Sequence, residues 1–468
     1  MQAYSGPAVP VPVTFAQCHA AWVKARRGKR PSANQMAFAS RWLDKVYTLH
    51  QRLRAGTWVP HRTVSFVVKH PKTREIHAPD FADRVVHHWL VPKLEQLYEP
   101  VFIHDSYANR VGKGTHEAVR RLQAFVRQRN GKGWFLQLDV HNFFNSIHRP
   151  TLYALLKQCI AKAQLRGLWL PAQAQAVQSL CHKLLAQPVL EHCSNPQAAA
   201  KVPAHKRLRH AARGCGLPIG NLTSQFFANV VLNELDQFVK HQLKARHYLR
   251  YVDDFVLLAS GPDELAVWHA QIEAFLHQQL RLKLKQPCVQ APLQQGIDFL
   301  GYRVWHTHKL VRKRVVTHCC AKLQNWQRAH VQILPNGGWH IRAVAADLAA
   351  LQALLASYWG HFKHAHSVRL RHALRARFSW LSVLFQHDKM GDLHPRWVLQ
   401  GDTLANQVAW LRQQWPQSQC WVQRGCQTVR HAPLAKADGS RVMAVQTGWL
   451  RHGTRRREIT GWHVPASS

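Results

Sequence analysis

The stretch HYLRYVDDFVLLAS (247–260) sets two adjacent carboxylates, Asp253 and Asp254, between two short apolar runs. Runs of this length, rich in aromatic and β-branched residues, read as strands, and the residues between them as a tight turn. The turn then carries two anions close enough to repel each other. Alone, an Asp-Asp pair at a hairpin is ordinary turn chemistry. A third carboxylate changes the reading. Asp139 closes another apolar strand, in WFLQLDV (134–140), just before the chain turns into a helix. Acidic strand ends from two distant stretches are what a two-metal site needs, and oxygen ligands suit hard divalent cations. Asp139 and Asp253 would bridge both ions, with the Val140 carbonyl as a further ligand. Asp254 would tune the site or bind peripherally, because adjacent side chains on an extended segment point opposite ways.

Charge limits the partner. Lys plus Arg number 63 against 24 Asp plus Glu, a formal +39 before the 33 histidines are counted. Such an imbalance is self-repulsive in isolation and is relieved by a polyanion that releases its counterions, so nucleic acid is the expected partner. The 18 tryptophans are mostly core candidates, and some offer stacking surfaces for single strands. Ten cysteines include no Cys-x-x-Cys pair, which argues against a zinc site or disulfide framework and for reduced, mostly buried thiols. No run approaches the roughly 18 apolar residues of a membrane span. The N-terminus lacks a basic segment followed by an apolar one, so a cytoplasmic protein with no membrane partner is expected.

At 468 residues and 46% hydrophobic, the chain should fold as several packed subregions. Residues 1–60 read as helical, and 61–80 as strand, turn, strand (TVSFVV, KHPKT, REIHAP). Helices follow over FADRVVHHWLVPKLEQLYEPVF and GTHEAVRRLQAFVRQR. Residues 161–213 are mixed and basic. A glycine-rich stretch, RGCGLPIGNLTSQ, precedes a helix from Ser224 to about Leu243, with Thr223 or Ser224 as its cap. A helix is expected over 262–280, a strand over 297–305 and helices over 318–385. The last 65 or so residues alternate as strands and read as a separate small appendage.

The ordered set LDVHNFFNSI, GLPIGNLTSQ, RYVDDFVLL and IDFLGY resembles the palm blocks of reverse transcriptases. Upstream, VVKHPKTREIHAPDFADRVVHH and DSYANRVGKGTHEAVRRL resemble their fingers blocks. The match spans roughly 60–385. Viral RNA polymerases share a related palm but usually carry Gly-Asp-Asp at the turn.

The resemblance implies an α+β, right-hand polymerase fold with an antiparallel palm sheet and a helical thumb. Its parts would be a helical N-terminal extension (1–60), fingers (61–133), palm (134–310, with a fingers-like insertion at 161–213), thumb (311–400) and a basic C-terminal appendage (401–468). It implies an RNA-directed DNA polymerase that extends a primer 3′-hydroxyl, DNA or RNA, with dNTPs on an RNA template. Two Mg²⁺ ions would serve it, with Mn²⁺ as a substitute.

By position, Lys69 and Arg74 would hold the incoming triphosphate, and Phe144 would be the gate against a ribose 2′-hydroxyl. Ile219, Gly220 and Gln225 would line the nucleotide site. Arg110 and Lys113, with Gly220, would touch the template backbone, and Leu300 and Gly301 would grip the primer. A lysine thought to protonate the leaving pyrophosphate is absent from its expected place: LKLKQPCVQ puts Cys288 there and leaves Lys283 or Lys285 as substitutes.

The third block carries Ile219-Gly220 and Ser224-Gln225, where intron and retroviral enzymes typically have Gln-Gly and Ser-Pro. This form resembles the bacterial enzymes of diversity-generating retroelements and related antiphage defence lineages, some served by a small basic accessory protein. An isoleucine cannot hydrogen-bond the template–nucleotide pair as glutamine could, so low fidelity is expected. An intron role ranks lower, since no HNH-like endonuclease tail is visible. The reading from a different class is an inactive RNA-binding protein on a polymerase scaffold, against which the intact carboxylates argue.

Overall fold

The alternation in residues 63–78 becomes a hairpin of β1 (Val64–Val68) and β2 (Arg74–Ala78), with Phe66 opposite Ile76 and Val68 opposite Arg74. One face buries Ser65 and His77, and the other leaves Val64, Phe66 and Val68 exposed. A four-stranded antiparallel sheet follows, built from β3 (Trp134–Asp139), β4 (His247–Tyr251), β5 (Asp254–Ala259) and β6 (Val289–Pro292). Its order is β4–β5–β3–β6. In β5, Phe255 to Ala259 are all buried, which explains a continuous apolar run in place of alternation.

The computed structural model describes residues 8–28, 31–68, 73–188, 197, 200–333, 339–343, 345–388 and 391–395. Beyond these it describes 406, 409, 412–413, 420–424, 427–431, 445–446 and 462–464. The chain divides into two units, 1–295 and 296–468.

In the first unit, helix Leu222–Gln237 is buried nearly all round, polar residues such as Asn229 and Asp236 included, and packs on helices Phe81–Tyr98 and Arg149–Leu165. Each large side chain it buries, such as Phe227, contributes about 1.5–3 kcal/mol. Its start departs from expectation. Asn221 stands at the cap without a side-chain bond, while Thr223 and Ser224 are buried inside the first turn. The helix also loosens into a π turn over Phe238–Gln242, and Pro262–Phe275 does the same over Leu276–Leu280. The basic 161–213 region contains a regular helix, Pro171–Ala186. At the N-terminus, Thr14 and Gln17 form a capping box for helix Phe15–Arg26, which packs on Phe81–Tyr98.

The second unit begins with a three-stranded sheet, β7 (Ile297–Phe299), β8 (Tyr302–Val304) and β9 (Lys309–Val311). The expected single strand over 297–305 is therefore two strands. Leu300 (φ 47°) and Gly301 (φ 91°) reverse the chain between them. A Cβ at Gly301 would lie 3.0 Å from the His361 ring, so glycine is needed there.

Helices Lys313–His330, Ala345–Lys363 and Val368–Arg377 surround a core with Leu323, Phe362 and Leu384. A hairpin, Val331–Ile333 with Trp339–Ile341, interrupts the expected helical run. Trp462–Val464 pairs with Trp339–Ile341, adding a third strand to this hairpin. Among the described residues, no helix is long and apolar enough to cross a membrane.

Candidate active site

Register builds the site. β3 and β5 pair so that Asp139 stands directly opposite Asp254. The β4–β5 pairing closes on Tyr251 and Asp254, leaving Val252 and Asp253 as a two-residue turn. Tight hairpin turns need a positive φ, usually from glycine. Here Val252 takes it (φ 56°), a conformation costing about 1–3 kcal/mol for such a side chain. The Val140 N–H donates to the Asp253 carbonyl at 3.3 Å, and Val140 is buried in a bridge to Leu284.

The three carboxylates meet at one end of the sheet and affect one another. Burial, and after it the Asp139 charge, push Asp253 up to about 6. Burial also pushes Asp254 up to about 7, opposed by a hydrogen bond from Gln137 Nε2 to its Oδ1 at 3.1 Å, while Asp139 and Asp253 add repulsion. The third carboxylate of the trio is thus engaged by Gln137.

Lys285 Nζ donates to Asp139 Oδ2 at 2.8 Å, and this carboxylate raises the lysine's proton affinity. The backbone holds the lysine there: the Lys285 N–H donates to the Asp139 carbonyl at 2.8 Å, and the His141 N–H to the Lys283 carbonyl at 2.8 Å. Of the two lysines left open by the sequence, Lys285 is the one whose ammonium meets the acidic trio. Cys288 instead places its sulfur 3.5 Å from His269 Nε2.

Among the described residues, no group of three or more His, Cys, Asp or Glu side chains is already arranged to hold a metal ion. The donor set nonetheless fits a hard divalent cation. It consists of carboxylate oxygens, and burial together with neighbouring acidic charge raises the proton affinity of Asp253 and Asp254, a penalty that a bound dication removes. Asp139 and Asp253 are the two that would hold it.

Other sequence candidates gather around this end. Arg74, exposed at the start of β2, lies close enough to lower the proton affinity of Asp253. The glycine-rich loop ties β2 to the turn after β3. The His77 N–H donates to the Ile219 carbonyl at 2.8 Å, and the Leu217 N–H to the Phe144 carbonyl at 2.8 Å. Phe144 is half-buried in the short helix Phe143–Ser146. Gly220 (φ 114°) lies so close to β2 that a Cβ would be 2.8 Å from Ile76 Cγ2. Gln225 is half-buried in the first turn of Leu222–Gln237. Lys69 lies outside the described residues.

The Arg110 guanidinium donates to both Glu99 oxygens and to the carbonyls of Ile103 and Ser106, so it braces its own loop. Lys113 donates to the His104 carbonyl at 2.9 Å and lies over the Tyr107 ring. Leu300 and Gly301 form the β7–β8 turn of the second unit. Sequence reasoning missed Gln137 and the pair Asp236–Arg250 behind the turn. The available signal was charge inside two largely apolar runs, Glu234 and Asp236 in VVLNELDQF and Arg250 in HYLRY.

Residues 67–304 match the family described as reverse transcriptase (RNA-dependent DNA polymerase). Among curated proteins, the chain is 23% identical over 327 residues to the group II intron-encoded protein LtrA of Lactococcus lactis subsp. cremoris, covering 56% of this chain and 50% of that one. It is 23% identical over 325 residues to protein YkfC of Escherichia coli (strain K12), covering 60% and 75%. The chain thus spans about half the length of LtrA. Among solved structures, telomerase from Candida albicans with a fragment of telomeric RNA aligns over 70% of this chain and 59% of that one, at 12% identity and a TM-score of 0.36. With its family blocks and acidic trio in place, the chain belongs to the reverse transcriptase family.

Proposed function

We propose that the chain is an RNA-directed DNA polymerase that adds dNTPs to a primer 3′-hydroxyl on an RNA template. The observation that carries the reading is the register of Asp139 opposite Asp254, with Asp253 in the turn beside them. Asp139 and Asp253 would hold Mg²⁺, with Mn²⁺ as a substitute, and the bound ions supply charge stabilisation for the attacking and leaving oxygens. Arg74, together with Lys69, binds the triphosphate through charge-assisted hydrogen bonds. Phe144 excludes the ribose 2′-hydroxyl. The ammonium of Lys285, kept protonated by Asp139, is placed to give its proton to the departing pyrophosphate.

Primer extension on poly(rA)/oligo(dT) tests this. Wild type should incorporate dTTP, and Asp253→Ala should lose about 10²–10³-fold in rate. A wild type that binds the duplex without extending it would make the chain an RNA-binding protein on an inactive scaffold.

A retroelement setting is supported by similarity to an intron-encoded protein. Ile219 favours a diversity-generating element within that class, because its side chain offers no hydrogen bond to the base pair. An antiphage defence enzyme would run the same chemistry. A nearby imperfect repeat pair with a small basic accessory gene favours diversification, and a place among defence genes favours immunity. Misincorporation should fall in Ile219→Gln relative to wild type, and an unchanged error spectrum removes Ile219 from fidelity.

A further inference from the structure

We infer that Arg250, buried behind the acidic turn and bonded to its backbone, is a positioning residue that sets the place of Asp253. The inference rests on the polymerase reading above. Arg250 lies on β4, immediately before Tyr251 and the turn, and its side chain has no exposure.

All five of its N–H groups are used. Nε donates to the two Asp236 oxygens at 2.8 and 3.1 Å. Nη2 donates to Asp236 Oδ2 at 2.6 Å and Ser106 Oγ at 3.1 Å. Nη1 donates to Asn229 Oδ1 at 3.2 Å and to the Val252 carbonyl at 2.9 Å. The last bond is the informative one. Val252 is the residue with positive φ, and the peptide that its carbonyl closes leads directly into Asp253.

The anchors are themselves held. Asn229 Nδ2 donates to the Ala108 carbonyl at 2.8 Å, and Tyr248 Oη to Asp236 Oδ1 at 2.7 Å. Segment 105–107 runs beside β4, with the Arg250 N–H donating to the Asp105 carbonyl at 2.9 Å and the Tyr107 N–H to the Arg250 carbonyl at 3.0 Å. The planar guanidinium therefore connects the turn to helix Leu222–Gln237 and to the 105–107 segment. A flexible ammonium has one nitrogen and cannot span these partners at once. A purely structural ion pair would need only Asp236, whereas the bond to Val252 reaches the turn.

The test compares full-length wild type with Arg250→Lys and Ser106→Ala. Thermal midpoint, primer–template affinity, kcat and KM for dNTP are measured, with substrate-free Mn²⁺ binding followed by electron paramagnetic resonance. Arg250→Lys should lose about 10–100-fold in both kcat and Mn²⁺ affinity, as partners behind metal ligands do. Ser106→Ala, which leaves the Asp236 pair intact, should lose about three- to tenfold in kcat. Duplex affinity and KM should stay within about twofold for both, since neither residue is assigned a substrate contact.

Folded variants with wild-type kcat and Mn²⁺ affinity would overturn the inference. So would losses confined to duplex affinity. Should Arg250→Lys not fold, Ser106→Ala decides alone. A wild type that binds Mn²⁺ without extending a primer removes the polymerase reading, while the Mn²⁺ comparison still decides the role of Arg250.

Discussion

Two cation–carboxylate pairs flank the acidic turn at nearly the same distance and in opposite surroundings. Behind it, Arg250 and Asp236 meet at 2.6 Å with both side chains at 0% exposure. At its mouth, Lys285 and Asp139 meet at 2.8 Å with exposures of 53% and 36%. Distance alone would call them equivalent. The buried pair must offset the loss of water from two charges, and it does so with every guanidinium donor satisfied. The exposed pair is screened and contributes little to stability, so Asp139 can exchange its ammonium partner for a metal ion. The first pair is scaffold and the second is available for chemistry.

The difference breaks most sharply if one partner is removed from each pair. Asp236→Ala leaves a guanidinium uncompensated in the core and removes the acceptor of the Tyr248 hydroxyl. Urea unfolding should show a loss of about 3–5 kcal/mol. A loss below about 1 kcal/mol would mean that water or another group reaches Arg250, and the contrast with Lys285 would disappear.

Arg110 and Glu99 form an intermediate case, 2.8 Å apart, with the arginine side chain at 7% exposure and the glutamate at 41%. Arg110→Ala should destabilise by about 1.5–3 kcal/mol through the lost charge-assisted bonds. The dependence of RNA affinity on salt should not change. If Arg110 did neutralise a phosphate, the slope of log affinity against log salt would fall by about 1 on its removal. That measurement separates a brace from a template contact.

The acidic residues were legible because period and turn chemistry alone place Asp139 at a strand end and Asp253 at a hairpin tip. The bracing bonds of Arg110 were not legible, for a physical reason. Glycines around a cation signal an open loop, but nothing local shows that Glu99, which caps the end of helix Phe81–Tyr98, will meet it. Arg250 and Asp236 share that opacity: each is a charge in a largely apolar run, Asp236 with Glu234 two residues before it, and only tertiary packing makes them partners. The 297–305 segment misled in another way. Its period fits one strand, and Leu300 with Gly301 reverses it through backbone angles that hydrophobic alternation does not encode. Lys283 and Lys285 could not be separated by sequence, since both alternate outward from Leu282 and Leu284, and the pairing with Asp139 selects between them.

That selection gives the smallest stability effect and a large functional one. Lys285→Met should shift the unfolding free energy by no more than about 1 kcal/mol, because the pair is exposed. If the ammonium gives its proton to pyrophosphate, kcat should nonetheless fall by about 10²–10⁴-fold, the range of a lost general acid. Lys283→Met is the matched control, a neighbouring exposed lysine with no assigned part in the reaction. Single-turnover extension of both variants decides the matter. A drop confined to Lys283→Met would reverse the assignment. A large fall in stability for Lys285→Met would show that its pair with Asp139 is scaffold after all, and the two ion pairs would then differ in exposure alone.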